Sequence, residues 1–291
     1  MSQRVTVPDV QATKSGPREG TEHSEAEPLV MVTAYDTPTA RMADQAGVDV
    51  ILVGDSLAMV VLGHPDTLQV DVDDMVHHTA AVARARPRAL LVADLPWLSY
   101  HLGTADTVRN AARLVRAGAQ AVKLEGGRQR VPAVRALLAA EIPVMGHVGL
   151  TPQSLHVMGG YKVQAKQTDA ALELVDHAVA LCEAGCFALV IEGVPDAVAR
   201  MVTEAVPVPT IGIGAGPWCD GQVLVLHDLL GLEDQVPGKF VRRYADLKAQ
   251  AVSALSQFAA DVRARRFPAE EESYSLRPTL PTGVQDDMNQ T

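Results

Sequence analysis

Acidic side chains follow short apolar segments at several places in this sequence, and they are the residues best suited to carry chemistry. The four acids that directly end a run of valine, isoleucine, leucine and alanine are Asp55, Asp94, Glu125 and Glu192. Carboxylates crowded into an apolar setting repel one another by several kcal/mol unless a proton or a cation intervenes. Because oxygen ligands favour a hard cation, these acids predict a Mg²⁺ site that water and substrate complete.

The alternative interpretation of any one acid at the end of an apolar segment is that it caps the next helix or faces solvent. Asp36 ends the first apolar segment in the same way and is open to the same interpretation. For the four acids taken together, capping is a weaker explanation, since each directly ends an apolar segment.

A lysine and a histidine accompany these acids. Lys123 precedes Glu125 by two residues, so a strand would place both side chains on the same face. A lysine in an apolar strand is costly to bury unless it meets an anion, either a neighbouring carboxylate or a substrate carboxylate. His147 ends the next segment in the string GHVG and is either a satisfied core residue or part of the site.

Three other patterns are set aside. The glycines of GIGAG resemble a dinucleotide-binding turn, but Pro217 stands where the third glycine is needed. The string GDSL, which contains Ser56, is typical of serine esterases, but the later asparagine and DxxH blocks of those enzymes have no counterpart. Cys182 and Cys186 have no second metal-ligating pair and are expected to pack in the core.

The elements that must position these residues repeat along the chain. Eight segments rich in valine, isoleucine and leucine begin at Leu29, Val48, Ala89, Ala121, Ile142, Phe187, Pro209 and Gln222, and helical stretches separate them. Strands that are apolar on both faces are typical of a parallel sheet covered by helices. Eight such units in about 240 residues predict an α/β fold, a (β/α)8 TIM barrel with its active site at the carboxyl ends of the strands. A doubly wound open sheet is the alternative.

Composition predicts the surroundings of this barrel. Residues 1–27 and 268–291 are polar and poor in large apolar residues, so we expect disordered, mobile tails around one catalytic domain at 28–267. A net charge of −10 argues against nucleic acid as a partner. The apolar segments are too short to span a membrane, and the N-terminus has no signal peptide. With 3 cysteines in the chain, a cytoplasmic protein with reduced thiols is expected.

The motifs in their order along the chain resemble a known family. They are VTAYD, LVGDSL, LLVADLP, VKLEGG, GHVGLTPQS, GGYKVQ, IEGVP, GIGAG and DGQVLVLHD. From about residue 29 to 232, this combination is similar to the ketopantoate hydroxymethyltransferases. The resemblance implies a (β/α)8 barrel, a homodecamer in bacteria, and one-carbon transfer from 5,10-methylenetetrahydrofolate to the small-molecule substrate 3-methyl-2-oxobutanoate. The product would be 2-dehydropantoate, which begins pantothenate and coenzyme A biosynthesis.

The resemblance also implies residue roles. Asp55 and Asp94 match the positions that hold Mg²⁺, and Glu125 matches a position in the metal site, either as a direct ligand or through water. Glu192 matches the proton acceptor that would generate an enolate. The positions that match substrate-binding residues are Asp55, Ser56, Asp94, Lys123 and His147.

A second enzymatic hypothesis keeps the barrel and Mg²⁺ but assigns a different reaction. Lyases and mutases of the isocitrate lyase type also act on carbon–carbon bonds of 2-oxo acids. Those enzymes carry a catalytic cysteine in a KKCGH-like loop, and this sequence has no counterpart of that loop.

Overall fold

A computed structural model describes residues 4–14, 27–234 and 238–274 of the chain, and a closed barrel of eight parallel strands forms its centre. The strands are β1 (Leu29–Thr33), β2 (Val50–Val53), β3 (Leu90–Asp94), β4 (Ala121–Glu125), β5 (Val144–Gly149), β6 (Ala188–Glu192), β7 (Thr210–Ile213) and β8 (Gly221–Leu224). Each strand pairs with the next in sequence, and β8 closes the barrel against β1. The predicted (β/α)8 barrel is therefore confirmed, and the open sheet is wrong.

The strands form because their residues are apolar on both faces. Every residue of β2, β3 and β4 is buried. Along β2, Val50 and Leu52 belong to one apolar cluster, whereas Ile51 and Val53 belong to a second that also includes helix residues. The period of two along a strand thus divides the apolar side chains between the barrel interior and the layer under the helices.

Helices alternate with the strands, and four of those described begin with a side-chain cap, at Thr6, Asp36, Asp71 and Asp246. The helices are α1 (Val7–Gln11), α2 (Thr37–Gln45), α3 (Leu57–Val60), α4 (Val72–Ala83), α5 (Thr104–Ala117), α6 (Val131–Ala139), α7 (Leu155–Met158), α8 (Thr168–Ala184), α9 (Asp196–Ala205), α10 (Leu226–Leu230) and α11 (Leu247–Arg263). Asp36 is the N-cap of α2, where its Oδ1 accepts a hydrogen bond of 2.8 Å from Thr39 N. The capping interpretation therefore holds for Asp36. None of the described helices combines the length and apolarity that crossing a membrane requires.

Residues 4–14, within the predicted N-terminal tail, include helix α1 and pack against the barrel. Helix α1 begins with a capping box between Thr6 and Asp9. Val10 is fully buried in the same apolar cluster as Val50 and Leu52, called the inner cluster below. Lys14 Nζ lies 3.1 Å from Asp220 Oδ2 and donates to Thr203 O at 2.6 Å. A few apolar contacts and one ion pair hold this segment, which composition averaged over 27 residues does not reveal. The rest of that predicted tail, 1–3 and 15–26, lies outside the described residues.

The described C-terminal residues, 246–274, form a separate compact unit, whereas the unit that contains the barrel ends at residue 245. This division falls inside the predicted catalytic domain, 28–267, and α11 buries none of its residues. Apolar residues recur along one side of α11, and two of them, Leu255 and Phe258, are 66% and 51% exposed. Of the predicted C-terminal tail, residues 275–291 lie outside the described residues.

Helix α1 should contribute measurably to stability. We expect Val10→Ala to lower the free energy of unfolding by about 1–2 kcal/mol, because it removes buried methyl groups and leaves a cavity. Urea titration followed by circular dichroism measures the change. Val157→Ala, at a position that is 91% exposed, is the matched control and should change stability little. Equal unfolding midpoints for Val10→Ala and the wild type would contradict the buried position of α1.

Candidate active site

A cavity of about 350 Å³ lies at the carboxyl ends of the strands, and all of the predicted site residues line it. They are Asp55, Ser56, Asp94, Lys123, Glu125, His147 and Glu192. Strand register explains how residues far apart in sequence come together. Asp94 is the register partner of Lys123, and Glu125 is the register partner of His147. Neighbouring parallel strands therefore present these side chains at the same level of the barrel.

Ion pairs link most of these side chains. Lys123 Nζ lies 2.9 Å from Asp94 Oδ1, and both side chains are buried. His147 lies between two glutamates, with Nδ1 at 3.3 Å from Glu125 Oε1 and Nε2 at 3.2 Å from Glu192 Oε2. Glu192, whose side chain is 19% exposed, is the more accessible of the two glutamates.

Burial and like charge act most strongly on the aspartates. The pKa of Asp55 is raised well above its usual range by burial and by the negative charges of Asp94 and Glu125. Burial also raises the pKa of Asp94, although Lys123 opposes this shift. Burial is the largest cause of both shifts, and the negative charges of neighbouring carboxylates add to it.

The two glutamates beside His147 favour its protonated form. Burial and the charge of Lys123 oppose its protonation, but the attraction of Glu125 and hydrogen bonding to Glu125 and Glu192 raise the pKa of His147 to about 9. His147 Nδ1 also lies 3.3 Å from Lys123 Nζ, whose positive charge is the one that opposes protonation of the ring. In the opposite direction, His147 lowers the pKa of Glu125 despite the burial of that carboxyl.

Asp55 and Asp94 suit a hard cation. Asp94 Oδ1 is buried and has no aligned hydrogen-bond donor, although Lys123 is close. Both oxygens of Glu125 are engaged, Oε1 with His147 and Oε2 with the backbone N–H of Gln153 at 3.0 Å. Within the described ranges there is no group of three or more His, Cys, Asp or Glu side chains arranged to hold a metal. Mg²⁺ commonly uses one or two carboxylates and completes its shell with water and substrate, so a two-aspartate site fits these residues.

Ser56 contacts a buried phenol. Its hydroxyl oxygen lies 2.9 Å from the Tyr35 hydroxyl, which gives the serine no base of the kind that esterases use. The neighbouring Gly54 is needed here, because a Cβ at this position would lie 2.9 Å from Ser56 Oγ and 3.6 Å from Asp94 Oδ2. The GDSL string therefore provides a tight turn that brings Ser56 close to Asp94.

Sequence reasoning missed two residues of this site, Gln153 and Tyr100. Gln153 Nε2 donates to Asp55 Oδ2 at 2.8 Å, and the Tyr100 hydroxyl donates to Gln153 Oε1 at 2.5 Å. Both side chains are buried. Gln153 lies within the motif GHVGLTPQS, but a polar residue after a strand gives no local signal that it reaches across the barrel.

The raised pKa of His147 predicts that the free energy of unfolding declines at alkaline pH. Its pKa is about 9 in the folded chain and about 6.5 when unfolded, so the stabilisation is complete below pH ~6.5 and is lost as the pH rises through 9. We expect His147→Gln to remove a decline on the order of 3 kcal/mol in the free energy of unfolding across this interval. Urea titrations of the metal-free protein at several pH values measure it.

The exposed His156→Gln is the control and should keep the wild-type pH profile. The assignment of charge to His147 would be wrong if His147→Gln and the wild type lost stability in parallel between pH 6.5 and 9.

Comparison with known proteins assigns the chain to a family. The family model described as ketopantoate hydroxymethyltransferase matches residues 18–270. The 3-methyl-2-oxobutanoate hydroxymethyltransferase of Moorella thermoacetica is 54% identical over 93% of this chain and 98% of its own length. The protein of the same name from Pyrobaculum arsenaticum is 56% identical, covering 84% of this chain and 92% of its own length.

Solved structures with the same fold are more distant in sequence. A phosphonopyruvate hydrolase in complex with oxalate and Mg²⁺ has a TM-score of 0.56 at 17% identity, covering 86% of this chain and 88% of its own. A 2,3-dimethylmalate lyase of the PEP mutase/isocitrate lyase superfamily has a TM-score of 0.52 at 19% identity, covering 86% of each chain. These likenesses show the shared barrel alone, whereas the sequence matches extend over nearly the whole chain. The chain therefore belongs to the ketopantoate hydroxymethyltransferase family and is a hydroxymethyltransferase.

Proposed function

We propose that the chain transfers a hydroxymethyl group from 5,10-methylenetetrahydrofolate to 3-methyl-2-oxobutanoate, giving 2-dehydropantoate for pantothenate and coenzyme A biosynthesis. The observation that carries this proposal is the buried charge cluster at the mouth of the barrel. An accessible glutamate, Glu192, lies beside His147 there, and two buried aspartates with raised pKa values lie deeper. A base next to a cation-binding pair is what proton removal beside a carbonyl group requires.

The substrate is an anion and would enter a cavity that already contains excess negative charge. Asp55 and Asp94 would hold Mg²⁺, with Glu125 in support through water because both of its oxygens are engaged. When bound, the ion supplies positive charge to the keto and carboxylate oxygens of the 2-oxo acid, which makes the C3 proton more acidic. Lys123 and the hydroxyl of Ser56 line the same cavity and add a cation and a hydrogen-bonding group for the substrate.

Glu192 would accept the C3 proton. The C–H bond breaks, its electron pair forms the C2–C3 double bond of an enolate, and the proton moves to the Glu192 carboxylate. His147 orients that carboxylate from 3.2 Å, and Glu125 fixes the imidazole from the opposite side. In the net reaction, C3 then forms a bond to the methylene carbon of the folate, both bonds from that carbon to the folate nitrogens break, and water supplies the hydroxyl oxygen of the product. The two nitrogens of the departing tetrahydrofolate take up one proton from Glu192 and one from the water.

The folate would bind at the rim of the cavity. Tyr161 and Phe240 line the cavity and are 47% and 50% exposed. Aromatic rings that are half exposed offer faces on which the ring system of a folate can stack. A cavity of about 350 Å³ suits the small 2-oxo acid and leaves most of the folate outside the barrel.

We further propose a cytoplasmic homo-oligomer, a decamer by resemblance to the family, with no nucleic-acid or membrane partner. The free thiols of Cys182, Cys186 and Cys219 suit a reducing compartment. The apolar side chains exposed along α11 suit burial in an assembly. Native mass spectrometry of the purified chain tests the oligomeric state.

One assay tests the reaction and its metal together. We expect the purified chain to form 2-dehydropantoate from 3-methyl-2-oxobutanoate and 5,10-methylenetetrahydrofolate, and to lose activity when a chelator removes Mg²⁺. Asp94→Asn should lower activity by about 100-fold or more, since the ion contributes several kcal/mol of charge stabilisation. Asp36→Asn, which retains a capping side chain after β1, is the matched control and should remain active. Product formation that is insensitive to chelator would contradict the metal site.

The role of Glu192 has its own test. In deuterated water, the wild type should exchange the C3 proton of 3-methyl-2-oxobutanoate, as followed by proton NMR. Glu192→Gln should slow this exchange at least about 100-fold, because a positioned general base contributes that much or more. Binding of the substrate should change little. The exposed Glu183→Gln on α8 serves as the control, and exchange retained in Glu192→Gln would remove Glu192 as the base.

A further inference from the structure

Gln153 links three of the loops that form the site. It lies in the 3-10 turn Pro152–Ser154 after β5, and its side chain crosses the barrel mouth toward β2 and β3. Its Nε2 donates to Asp55 Oδ2 at 2.8 Å and to Leu95 O at 3.0 Å. Its backbone N–H donates to Glu125 Oε2 at 3.0 Å. One buried residue thus holds two of the carboxylates in the site and fixes their separation.

The direction of these hydrogen bonds follows from donor and acceptor chemistry. Leu95 O can only accept, so the amide atom beside it is the NH2 group, and the same group faces Asp55. The amide oxygen then accepts from the Tyr100 hydroxyl at 2.5 Å. That hydroxyl oxygen in turn accepts from Glu125 N at 3.2 Å. A series of hydrogen bonds, all donated in the same direction, therefore runs from the backbone of β4 through Tyr100 and Gln153 to Asp55.

Tyr100 is itself fixed by its surroundings. Its side chain is buried, and the guanidinium of Arg130 lies 5.0 Å from the centre of its ring. Arg130 Nε also donates to Glu125 O at 3.2 Å. The hydroxyl that orients Gln153 is therefore held on a rigid support.

Asp55 depends on this series of hydrogen bonds more than the other carboxylates do. Asp94 has Lys123, and Glu125 has His147. In the part of the chain that the structure describes, the bond from Gln153 Nε2 is the one hydrogen bond that the Asp55 carboxylate accepts. Because that bond occupies Oδ2, it fixes the rotation of the carboxylate and leaves Oδ1 free to face a cation.

We propose that Gln153, held in place by Tyr100, is a positioning residue that orients Asp55 to bind the divalent cation. This inference rests on the proposed function, since it assumes that Asp55 binds a cation. Groups that orient metal ligands without touching the metal typically change affinity or activity by about 10- to 100-fold when they are removed.

Gln153→Met tests the proposal, because it keeps the side-chain length and the backbone bond to Glu125 and removes the bond to Asp55. Titration with Mn²⁺, followed by electron paramagnetic resonance, measures the affinity for a cation directly. We expect the Kd for Mn²⁺ to rise about 10- to 100-fold and kcat to fall, while the KM for the folate stays near its wild-type value.

The matched control is Gln120→Met. Gln120 Oε1 accepts a hydrogen bond of 3.1 Å from Leu91 N, and the residue precedes β4 at the opposite end of the barrel. This variant also loses a bond to the protein and should lower the melting temperature, but it should keep the wild-type Mn²⁺ affinity. A purely structural role for Gln153 would give the same pattern as Gln120→Met.

Tyr100→Phe extends the test to the support of Gln153. If Tyr100 acts through Gln153, the double variant with Gln153→Met should bind Mn²⁺ no more weakly than Gln153→Met alone. Additive losses would contradict the chain of hydrogen bonds. Mn²⁺ affinity unchanged in Gln153→Met, with a wild type that binds the ion, would overturn the inference and leave the proposed function intact. A wild type that binds no Mn²⁺ would overturn both.

Discussion

The constraint on which the structure depends is an excess of negative charge at the mouth of an apolar barrel. Asp55, Asp94 and Glu125 are buried there with two positive side chains, Lys123 and His147. In a medium of low dielectric, each carboxylate raises the free-energy cost of ionising the next. The ion pairs of the site, the raised pKa of His147 and the suitability of the aspartates for a cation all follow from this imbalance.

A (β/α)8 barrel can contain such a cluster because the residues that stabilise its core are separate from those that line its active site. The interior and the layer beneath the helices are filled with apolar residues, and α1 contributes Val10 to the inner cluster away from the charged residues. Lys123 and Glu125 extend from β4, a strand that is buried throughout, so their backbones have little freedom to relax. The charges therefore stay close to one another, and the rigid frame keeps them available for substrate and cation.

The same barrel supports several reactions, so the fold alone does not decide which one occurs. The solved hydrolase and lyase that share it are 17% and 19% identical to this chain. The hydroxymethyltransferase relatives are 54% and 56% identical. Function resides in the side chains at the strand ends, and here those include a histidine between two glutamates.

Much of the fold and of the candidate site could be predicted from the sequence, because the signals are local. Apolar segments of strand length, repeated eight times, define the barrel, and a polar residue at the end of such a segment must lie at its mouth. Lys123 and Glu125 could be placed on one face for the same reason, since side chains alternate along a strand. The residues that these patterns and the family resemblance assigned to the site all line the cavity.

Tertiary structure alone decided what those residues touch. Asp36 and Asp55 both follow a strand, yet Asp36 caps a helix and Asp55 enters the site, a difference set by the path of the backbone. The hydrogen bond between Gln153 and Asp55 joins residues that are 98 positions apart. Val10 is buried because it packs against apolar residues of several strands. Pairings of this kind depend on how distant segments meet in space, and no local pattern of residue types encodes that geometry.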